Sequence, residues 1–242
     1  MNNQMKYKDF IKYYSFSRTS KYYKAVGKRK DKTMLLYYGN MKIAQSFHPL
    51  LGTLEVVLRN RLHRELSCYF DDNKWIVNQK TGFMIDPLLS RKNKKSGVLM
   101  TNDYLFREIS KAENKLKSKG HNITAGRIIA EQSLGFWVSF FDLIHYKLLK
   151  GIPCKIFQKL PSEYGRKEIY DTLNMVRAFR NRINHNEPIC FIDGKMDFSY
   201  ARNMYRIIVD FLNWIDPLII QSLKGLDKVV ETIEKEEKKQ KY

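Results

Sequence analysis

The segment from Met175 to Ile189 concentrates side chains that can bind phosphate and transfer protons. It reads Met-Val-Arg-Ala-Phe-Arg-Asn-Arg-Ile-Asn-His-Asn-Glu-Pro-Ile and contains three arginines, three asparagines and one histidine. A guanidinium is always charged and binds phosphate oxygens through parallel hydrogen bonds, whereas an imidazole titrates at about pH 6.5. These groups together can hold a phosphodiester and move protons around it, which makes this segment the first candidate for a site.

Metal-independent RNA cleavage is one reaction that such groups can perform. The 2′-hydroxyl must lose a proton, the charge of the phosphorane must be stabilised, and the departing 5′-oxygen must gain a proton. A histidine can perform either proton transfer, and an arginine can bind the equatorial oxygens. One set of these residues supplies only part of the reaction, so a two-fold dimer facing two sets would complete the cleft. The sequence has no Asp/Glu cluster for Mg²⁺, and we expect neither metal nor cofactor.

A structural interpretation of the same segment is open at this point. Cationic side chains near the C-terminus of a helix interact favourably with the helix dipole, and His185 would gain from the same field. An arginine followed five residues later by a histidine also occurs by chance. The spacing alone therefore does not choose between catalysis and helix capping.

The composition favours an anionic partner. Lys and Arg number 44 against 25 Asp and Glu in 242 residues, which gives a formal charge of +19 and a pI near 9.7. Neutralising nucleic-acid phosphates releases counterions, so nucleic acid is the first expectation, with a solvated basic surface or an anionic membrane as alternatives. The 43% hydrophobic fraction argues against global disorder.

The cysteines and the most apolar window bear on location. Cys68, Cys154 and Cys190 are far apart and include no Cys-x-x-Cys pair, so we expect a reducing cytosol and neither a disulfide framework nor a zinc knuckle. The first residues lack the apolar run of a signal peptide, and Leu134 to Leu149 falls short of a bilayer span. We expect a soluble, cytoplasmic protein without membrane contact.

Hydrophobic periodicity predicts an all-α chain in three parts. A basic, aromatic-rich segment, residues 1–33, precedes a helical domain, residues 34–233, and a charged flexible tail, residues 234–242. The first part can follow a single nucleic-acid strand or dock its rings on the domain with the lysines solvated. Residues 71–102 have no regular pattern, and the basic run from Arg91 to Gly97 is interpreted as an exposed loop, with RNA contact as the alternative. No sheet is predicted, although Asp193-Gly194 should form a tight turn.

Two predicted helices carry most of the polar candidates. The strongly amphipathic helix over residues 50–70 places Glu55 and Arg59 at i, i+4, with Asn60 beside them, which suits an ordinary ion pair as well as a site. The helix that Ser162 should cap places Arg177, Arg180, Asn181 and Asn184 within an arc of about 100°. This second helix therefore presents a polar ridge.

Further helices are predicted over residues 34–47, 103–119, 200–214 and from Asp216-Pro217 onward. Thr124 should cap a central helix that continues through an apolar stripe to Leu148. Within it, Gly135 is expected to allow another backbone to approach. His145 is interpreted as a core or interface histidine, because no second metal-type residue lies at ligand spacing.

Four segments resemble, in the same order, those of Abi-like proteins, an abortive-infection family of the HEPN superfamily. Residues 180–189 are similar to the family signature Arg-Asn-Arg-Ile-x-His-His-Glu-Pro-Ile, with Asn186 in place of the second histidine. Tyr37-Tyr38-Gly39-Asn40 resembles the family pattern Leu-Tyr-x-x-Asn. Leu54-Glu55-Val56-Val57-Leu58-Arg59-Asn60 resembles Leu-Glu-Val-x-Leu-Arg-Asn. Ser133-Leu134-Gly135-Phe136-Trp137 resembles Phe-Gly-Phe-Trp. The resemblance covers about Tyr37 to Ile189.

The resemblance implies an all-α HEPN-type bundle with added N-terminal and C-terminal helices, usually a homodimer with a composite active site. It implies a metal-independent, toxin-like endoribonuclease in antiviral defence, and an antitoxin or regulatory partner. Arg180 and His185 would be catalytic, with Asn181 orienting one of them. The residues themselves, apart from the resemblance, lead us to expect that Arg177, Arg182 and Arg59 guide RNA and that Glu55, Asn60 and Glu187 have supporting roles. The alternative is a non-catalytic RNA-binding or protein-interaction module on the same bundle.

Overall fold

The computed structural model describes residues 5–92 and 95–241, and most of them are helical. The helices are α1 (Tyr7–Tyr14), α2 (Phe16–Ala25), α3 (Lys30–Ser46), α4 (His48–Phe70), α5 (Trp75–Asn78), α6 (Tyr104–Ser118), α7 (Ala125–Glu131), α8 (Leu134–Val138), α9 (Leu143–Leu148), α10 (Arg166–Asn184), α11 (Ser199–Ile215), α12 (Pro217–Ser222) and α13 (Val229–Lys241). Short 3₁₀ segments cover 79–81, 83–85, 87–89, 139–141 and 152–156. The predicted all-α class is confirmed.

Two compact units divide the chain. The first, called the N/C unit, contains residues 1–52, 178–212 and 218–242, and the second, called the middle unit, contains residues 53–177 and 213–217. The boundaries fall inside α4, α10, α11 and α12, so each of these helices contributes residues to both units. The segment of interest at the end of α10 therefore belongs to the N/C unit from residue 178 onward.

In the N/C unit, two aromatic rings of the N-terminal segment pack into the core, whereas Tyr13 and Phe16 are exposed. Phe10 and Tyr22 are almost completely buried, and their ring centroids lie 5.3 and 5.2 Å from that of Tyr37 on α3. Burial of each large ring removes apolar surface from water, which stabilises this docked arrangement. α3 begins at Lys30, so the expected boundary after residue 33 falls inside a helix. Residues 1–4 lie outside the described residues.

The C-terminal segment corrects the prediction of a flexible tail. Residues 234–241 continue α13, whose Val229 and Ile233 are fully buried, while Tyr242 lies outside the described residues. Glu236 is also buried, and Lys239 donates to its carboxylate at 2.6 Å. Although residues 229–241 are rich in charged side chains, their apolar residues are spaced one helical turn apart and form a face that packs against the core.

The middle unit has an aromatic core around Trp75, Phe83, Trp137 and Phe140. The Trp75 and Phe140 ring centroids lie 5.8 Å apart, and those of Trp137 and Phe140 lie 5.9 Å apart. Every residue of α8 is buried, as expected for a central element. All-round burial explains why this stretch has so few charged residues.

The single helix predicted from Thr124 to Leu148 was wrong, although Thr124 does cap α7 by accepting from the Arg127 N–H at 3.3 Å. Gln132 and Ser133 adopt extended backbone and end α7. Asp142 then begins α9, because its Oδ1 accepts from the backbone N–H groups of Ile144 at 2.9 Å and His145 at 3.1 Å. A carboxylate that caps a helix start competes with continuation of the preceding helix.

Two short hairpins correct the prediction that no sheet would form. Residues 90–92 pair with 99–101, and 191–192 pair with 195–196, both antiparallel. Asp193 and Gly194 both have positive φ, 48° and 77°, so the predicted tight turn is confirmed. The basic run was expected to be a loop, but Arg91 and Lys92 are in the first hairpin, and Asn93 and Lys94 lie outside the described residues.

The helix that carries the candidate site begins later than predicted. α10 starts at Arg166 rather than after Ser162, and Glu168 Oε2 accepts from the Gly165 N–H at 3.0 Å just before it. This side chain satisfies one of the free N–H groups at a helix start. Within residues 5–92 and 95–241, none of the helices has the length and apolarity needed to cross a bilayer.

Candidate functional site

A tight C-terminal turn sets the position of His185. α10 ends at Asn184, and Asn186 follows with φ 51°, in the left-handed region. The Asn186 N–H donates to Ile183 O at 3.0 Å and the Glu187 N–H donates to Arg182 O at 2.8 Å. This pair of bonds is the Schellman arrangement, for which asparagine is the most tolerant residue after glycine. Asn186 therefore has a structural role where the family pattern has a second histidine.

Asn40 holds the chain directly after this turn. Its side-chain Oδ1 accepts from the Ile189 N–H at 2.8 Å, and its Nδ2 donates to Glu187 O at 3.3 Å. Asn40 is 1% exposed and lies on α3. One buried amide thus satisfies a backbone donor and a backbone acceptor in a segment that leaves the helix. This contact gives a physical reason for an asparagine in the Tyr-x-x-Asn segment.

Arg18 holds the turn from α2. Its Nη1 donates to His185 O at 3.0 Å and to Asn186 O at 3.3 Å, across 167 residues of sequence in the first case. A cation at the helix C-terminus interacts favourably with its free carbonyls. The N-terminal segment therefore contributes to the scaffold of the candidate site, a role that no local sequence signal indicates.

The three candidate catalytic residues differ in exposure. His185 and Asn181 are exposed and lie one helical turn apart, with the His185 N–H donating to Asn181 O at 3.0 Å. Arg180 is half-buried, about 100° around the helix from Asn181. With its amide oxygen facing the guanidinium, Asn184 accepts from Arg180 Nε and Nη1, both at 3.3 Å. The His185 imidazole and the Asn181 amide are accessible to a ligand on one face of the helix, and the bonds to Asn184 restrict the position of the Arg180 guanidinium beside them.

Arg182 is engaged within the protein. Its Nη2 donates to Pro188 O, its Nε lies 3.6 Å from the Glu187 carboxylate, and its guanidinium carbon lies 5.4 Å from the Tyr200 ring centroid. These contacts fix the same exit turn from the other side. Arg182 therefore supports this turn, and its contact with RNA stays a prediction. Glu187 supports the turn through its backbone and its carboxylate.

The remaining candidates belong to the middle unit. Arg177 is half-buried against Gly135, where an added Cβ would lie 3.4 Å from Arg177 Nη1 and 3.3 Å from the Tyr104 hydroxyl. Gly135 thus makes room for side chains, not for the backbone that the sequence led us to expect. Glu55, Arg59 and Asn60 lie on α4, where Glu55 and Arg59 are half-buried and Asn60 is exposed.

Buried titratable groups elsewhere have structural explanations. His145 is fully buried, and its Nδ1 pairs with the Asp142 carboxylate, as expected of a core histidine. Burial of Asp142 acts to raise its pKa, but bonding to His145 and Ile144 outweighs burial and leaves that pKa below its usual range. Burial raises the pKa of Cys190 to about 12, so this thiol stays neutral. Among the residues that the structure describes, no three His, Cys, Asp or Glu side chains gather to hold a metal.

Comparison with known proteins leaves the family open. No family model matches the chain, and no match was found among the curated proteins or the solved structures. The Abi-like HEPN assignment stays a prediction that rests on the four sequence segments.

Proposed function

We propose that this chain is a metal-independent, HEPN-type endoribonuclease that acts in abortive-infection phage defence. The observation that carries the proposal is an exposed His185 on a turn whose backbone is held by Asn40 and Arg18, with Arg180 and Asn181 one turn before it. An imidazole fixed at its backbone and open to solvent has the access that proton transfer to RNA requires. Pre-organisation of this kind lowers the entropy cost of reaching the reactive geometry.

The proposed reaction assigns one task to each residue. Arg180 binds the non-bridging oxygens of the scissile phosphate, and Asn181 orients Arg180 or His185. The 2′-hydroxyl loses its proton to a base as its oxygen bonds to phosphorus, while the bond to the 5′-oxygen breaks and that oxygen gains a proton. His185 performs one of the two proton transfers. The products are a 2′,3′-cyclic phosphate and a 5′-hydroxyl.

A homodimer is part of the proposal. One imidazole does not act as base and acid in the same turnover without a second proton carrier, so a second copy of α10 supplies the complementary group in a composite site. Arg177 and Arg59 would contact the RNA backbone, consistent with the net charge of +19. An antitoxin or another regulatory partner would restrain the activity.

A second candidate is a non-catalytic RNA-binding or protein-interaction module. It is favoured by the position of His185 directly after a helix C-terminus, where a histidine has a capping role without chemistry. In that case Arg180→Ala would weaken RNA binding and reduce its salt dependence, and the wild-type protein would not cut the strand.

Cleavage of RNA in EDTA by wild type, His185→Ala and His121→Ala tests the proposal. His121 is an exposed histidine of the middle unit and serves as the matched control. We expect 2′,3′-cyclic ends, a loss of about 10²- to 10⁴-fold in rate for His185→Ala, and wild-type rates for His121→Ala. Melting curves of the three proteins should coincide.

The other outcomes separate the alternatives. Undiminished cleavage by His185→Ala would remove this histidine from the reaction. Binding without scission by the wild-type protein would favour the non-catalytic module. A lower melting temperature of His185→Ala, with unchanged behaviour toward RNA, would assign this residue to the stability of the helix end.

A further inference from the structure

A pocket that combines polar and aliphatic side chains lies entirely within the middle unit. It has a volume of about 730 Å³ and is lined by residues of α4, of 73–78 and of 123–130. Arg59, Asn60 and His63 contribute from α4, where His63 lies four residues after Arg59 and three after Asn60 and so shares a face with both.

His63 has a defined hydrogen-bonding state. Its Nδ1 accepts from the Trp75 Nε1–H at 3.0 Å, and Trp75 is fully buried. An imidazole that accepts at Nδ1 carries its proton on Nε2 when neutral, and burial lowers the pKa of His63. The remaining polar atom of this ring is therefore a donor.

The charged groups of the pocket are all cationic. Arg59 and Lys74 line it, and no aspartate or glutamate does. Within residues 5–92 and 95–241, the side chains of Arg59 and Lys74 make no hydrogen bond or ion pair with a protein group. Asp72, the nearest acid in sequence, instead accepts from Lys74 N at 2.7 Å and from Asn78 Nδ2 at 2.9 Å. The pocket thus presents donors to a ligand that is rich in acceptors.

The rest of the lining is apolar. Val77, Ile123 and Ile129 contribute aliphatic surface beside the donors. A phosphate alone would use the donors only, whereas a nucleoside phosphate has an anionic end and a flat base with an apolar face. The size of the pocket accommodates such a ligand.

We propose that this pocket binds a nucleoside 5′-monophosphate, with the phosphate on Arg59, Lys74 and His63 and the base against Val77 and Ile129. Arg59 and Lys74 supply charge-assisted bonds, which are stronger than neutral ones. A free nucleotide and the 5′-phosphorylated end of an RNA chain present this same chemical group. This proposal shares Arg59 with the ribonuclease proposal, but here Arg59 binds a terminal phosphate together with Lys74 and His63, and no cleavage is needed.

Calorimetric titration tests whether this pocket binds a nucleotide. The full chain is used with His185→Ala, so that binding is measured without any cleavage. The probes are 5′-AMP, adenosine and inorganic phosphate. We expect saturable binding of 5′-AMP that is at least about tenfold weaker in Arg59→Ala and in Lys74→Ala. Arg64→Ala, an exposed arginine on the same helix that does not line the pocket, is the charge-matched control and should bind as before.

Three results would overturn the proposal. These are no saturable binding of 5′-AMP, equal loss in Arg64→Ala, and adenosine or inorganic phosphate binding as tightly as 5′-AMP. A short RNA with a 5′-phosphate should compete with 5′-AMP if the natural ligand is a chain end, and should fail to compete if it is a free nucleotide. Equal competition by the same RNA with a 5′-hydroxyl would instead indicate a surface for the RNA backbone and would also overturn the assignment.

Discussion

Replacement of Asn40 by alanine should destabilise the N/C unit by about 2–4 kcal/mol. The mutation removes the acceptor for the Ile189 N–H at 2.8 Å and the donor to Glu187 O at 3.3 Å. Asn40 is 1% exposed and Ile189 is fully buried, so water does not replace the lost acceptor. Each net bond contributes about 0.5–1.5 kcal/mol, and a buried group left without a partner costs about 1–3 kcal/mol. The unpaired Ile189 N–H together with the lost bond to Glu187 O costs about 1.5–4.5 kcal/mol, which brackets the stated range.

Urea denaturation followed by circular dichroism measures this loss as a lower midpoint at constant m-value. Asn114→Ala is the matched control, because Asn114 is exposed on α6, and its unfolding free energy should change by about 0.5 kcal/mol or less. Hydrogen exchange adds a local measurement. The amide of Ile189 should lose protection in Asn40→Ala and keep it in Asn114→Ala.

A loss below about 1 kcal/mol with the Ile189 amide still protected would refute this reasoning. Asn40→Asp sharpens the test, because it keeps an acceptor for the Ile189 N–H and removes the donor to Glu187 O. A buried carboxylate facing a carbonyl oxygen is unfavourable, so this variant should be at least as unstable as the alanine variant near neutral pH. Equal stability of Asn40→Asp and wild type would show that the Glu187 contact contributes nothing.

Two further predictions concern charged contacts. The pKa of Asp142 is lower in the folded state than in the unfolded state. Its contribution to the free energy of unfolding is therefore complete above the unfolded pKa, near 4, and is lost as the pH falls through the folded pKa. In Asp142→Asn, the free energy of unfolding measured by urea denaturation should fall less steeply on the acid side. Arg18→Ala should slow RNA cleavage by about tenfold or more through kcat, with partial recovery in Arg18→Lys. Lys8→Ala, an exposed cation on α1, should leave the rate unchanged, and equal losses in both would contradict the positioning role of Arg18.

The sequence was sufficient for the features that depend on neighbours in the chain. The periodic apolar residues of α4, the cap at Thr124 and the turn at Asp193-Gly194 follow from side-chain spacing and local backbone preferences, and each is present. The all-α class follows from the same periodicity. The candidate segment itself was visible because its arginines, asparagines and histidine are consecutive or nearly so.

Predictions from local sequence patterns were wrong where a distant contact or a side-chain cap determines the backbone conformation. Asp142 breaks the predicted long helix by accepting from two backbone N–H groups, and α13 forms because its apolar residues are buried, although its composition is that of a solvated tail. Neither effect appears in a count of apolar positions within one window.

The support of the candidate site is a property of the tertiary structure. Asn40 and Arg18 reach the turn around His185 from positions more than 140 residues away in sequence, with separations of 149 and 167 residues for the contacts that define them. The residue types at 180, 181 and 185 show what chemistry is available. Only long-range packing decides that Arg182 holds the turn, that His185 stays exposed, and that Arg59 and His63 share a pocket in the middle unit. Hydrogen-bond partners are set by three-dimensional proximity, which spacing along the chain does not encode beyond a few helical turns.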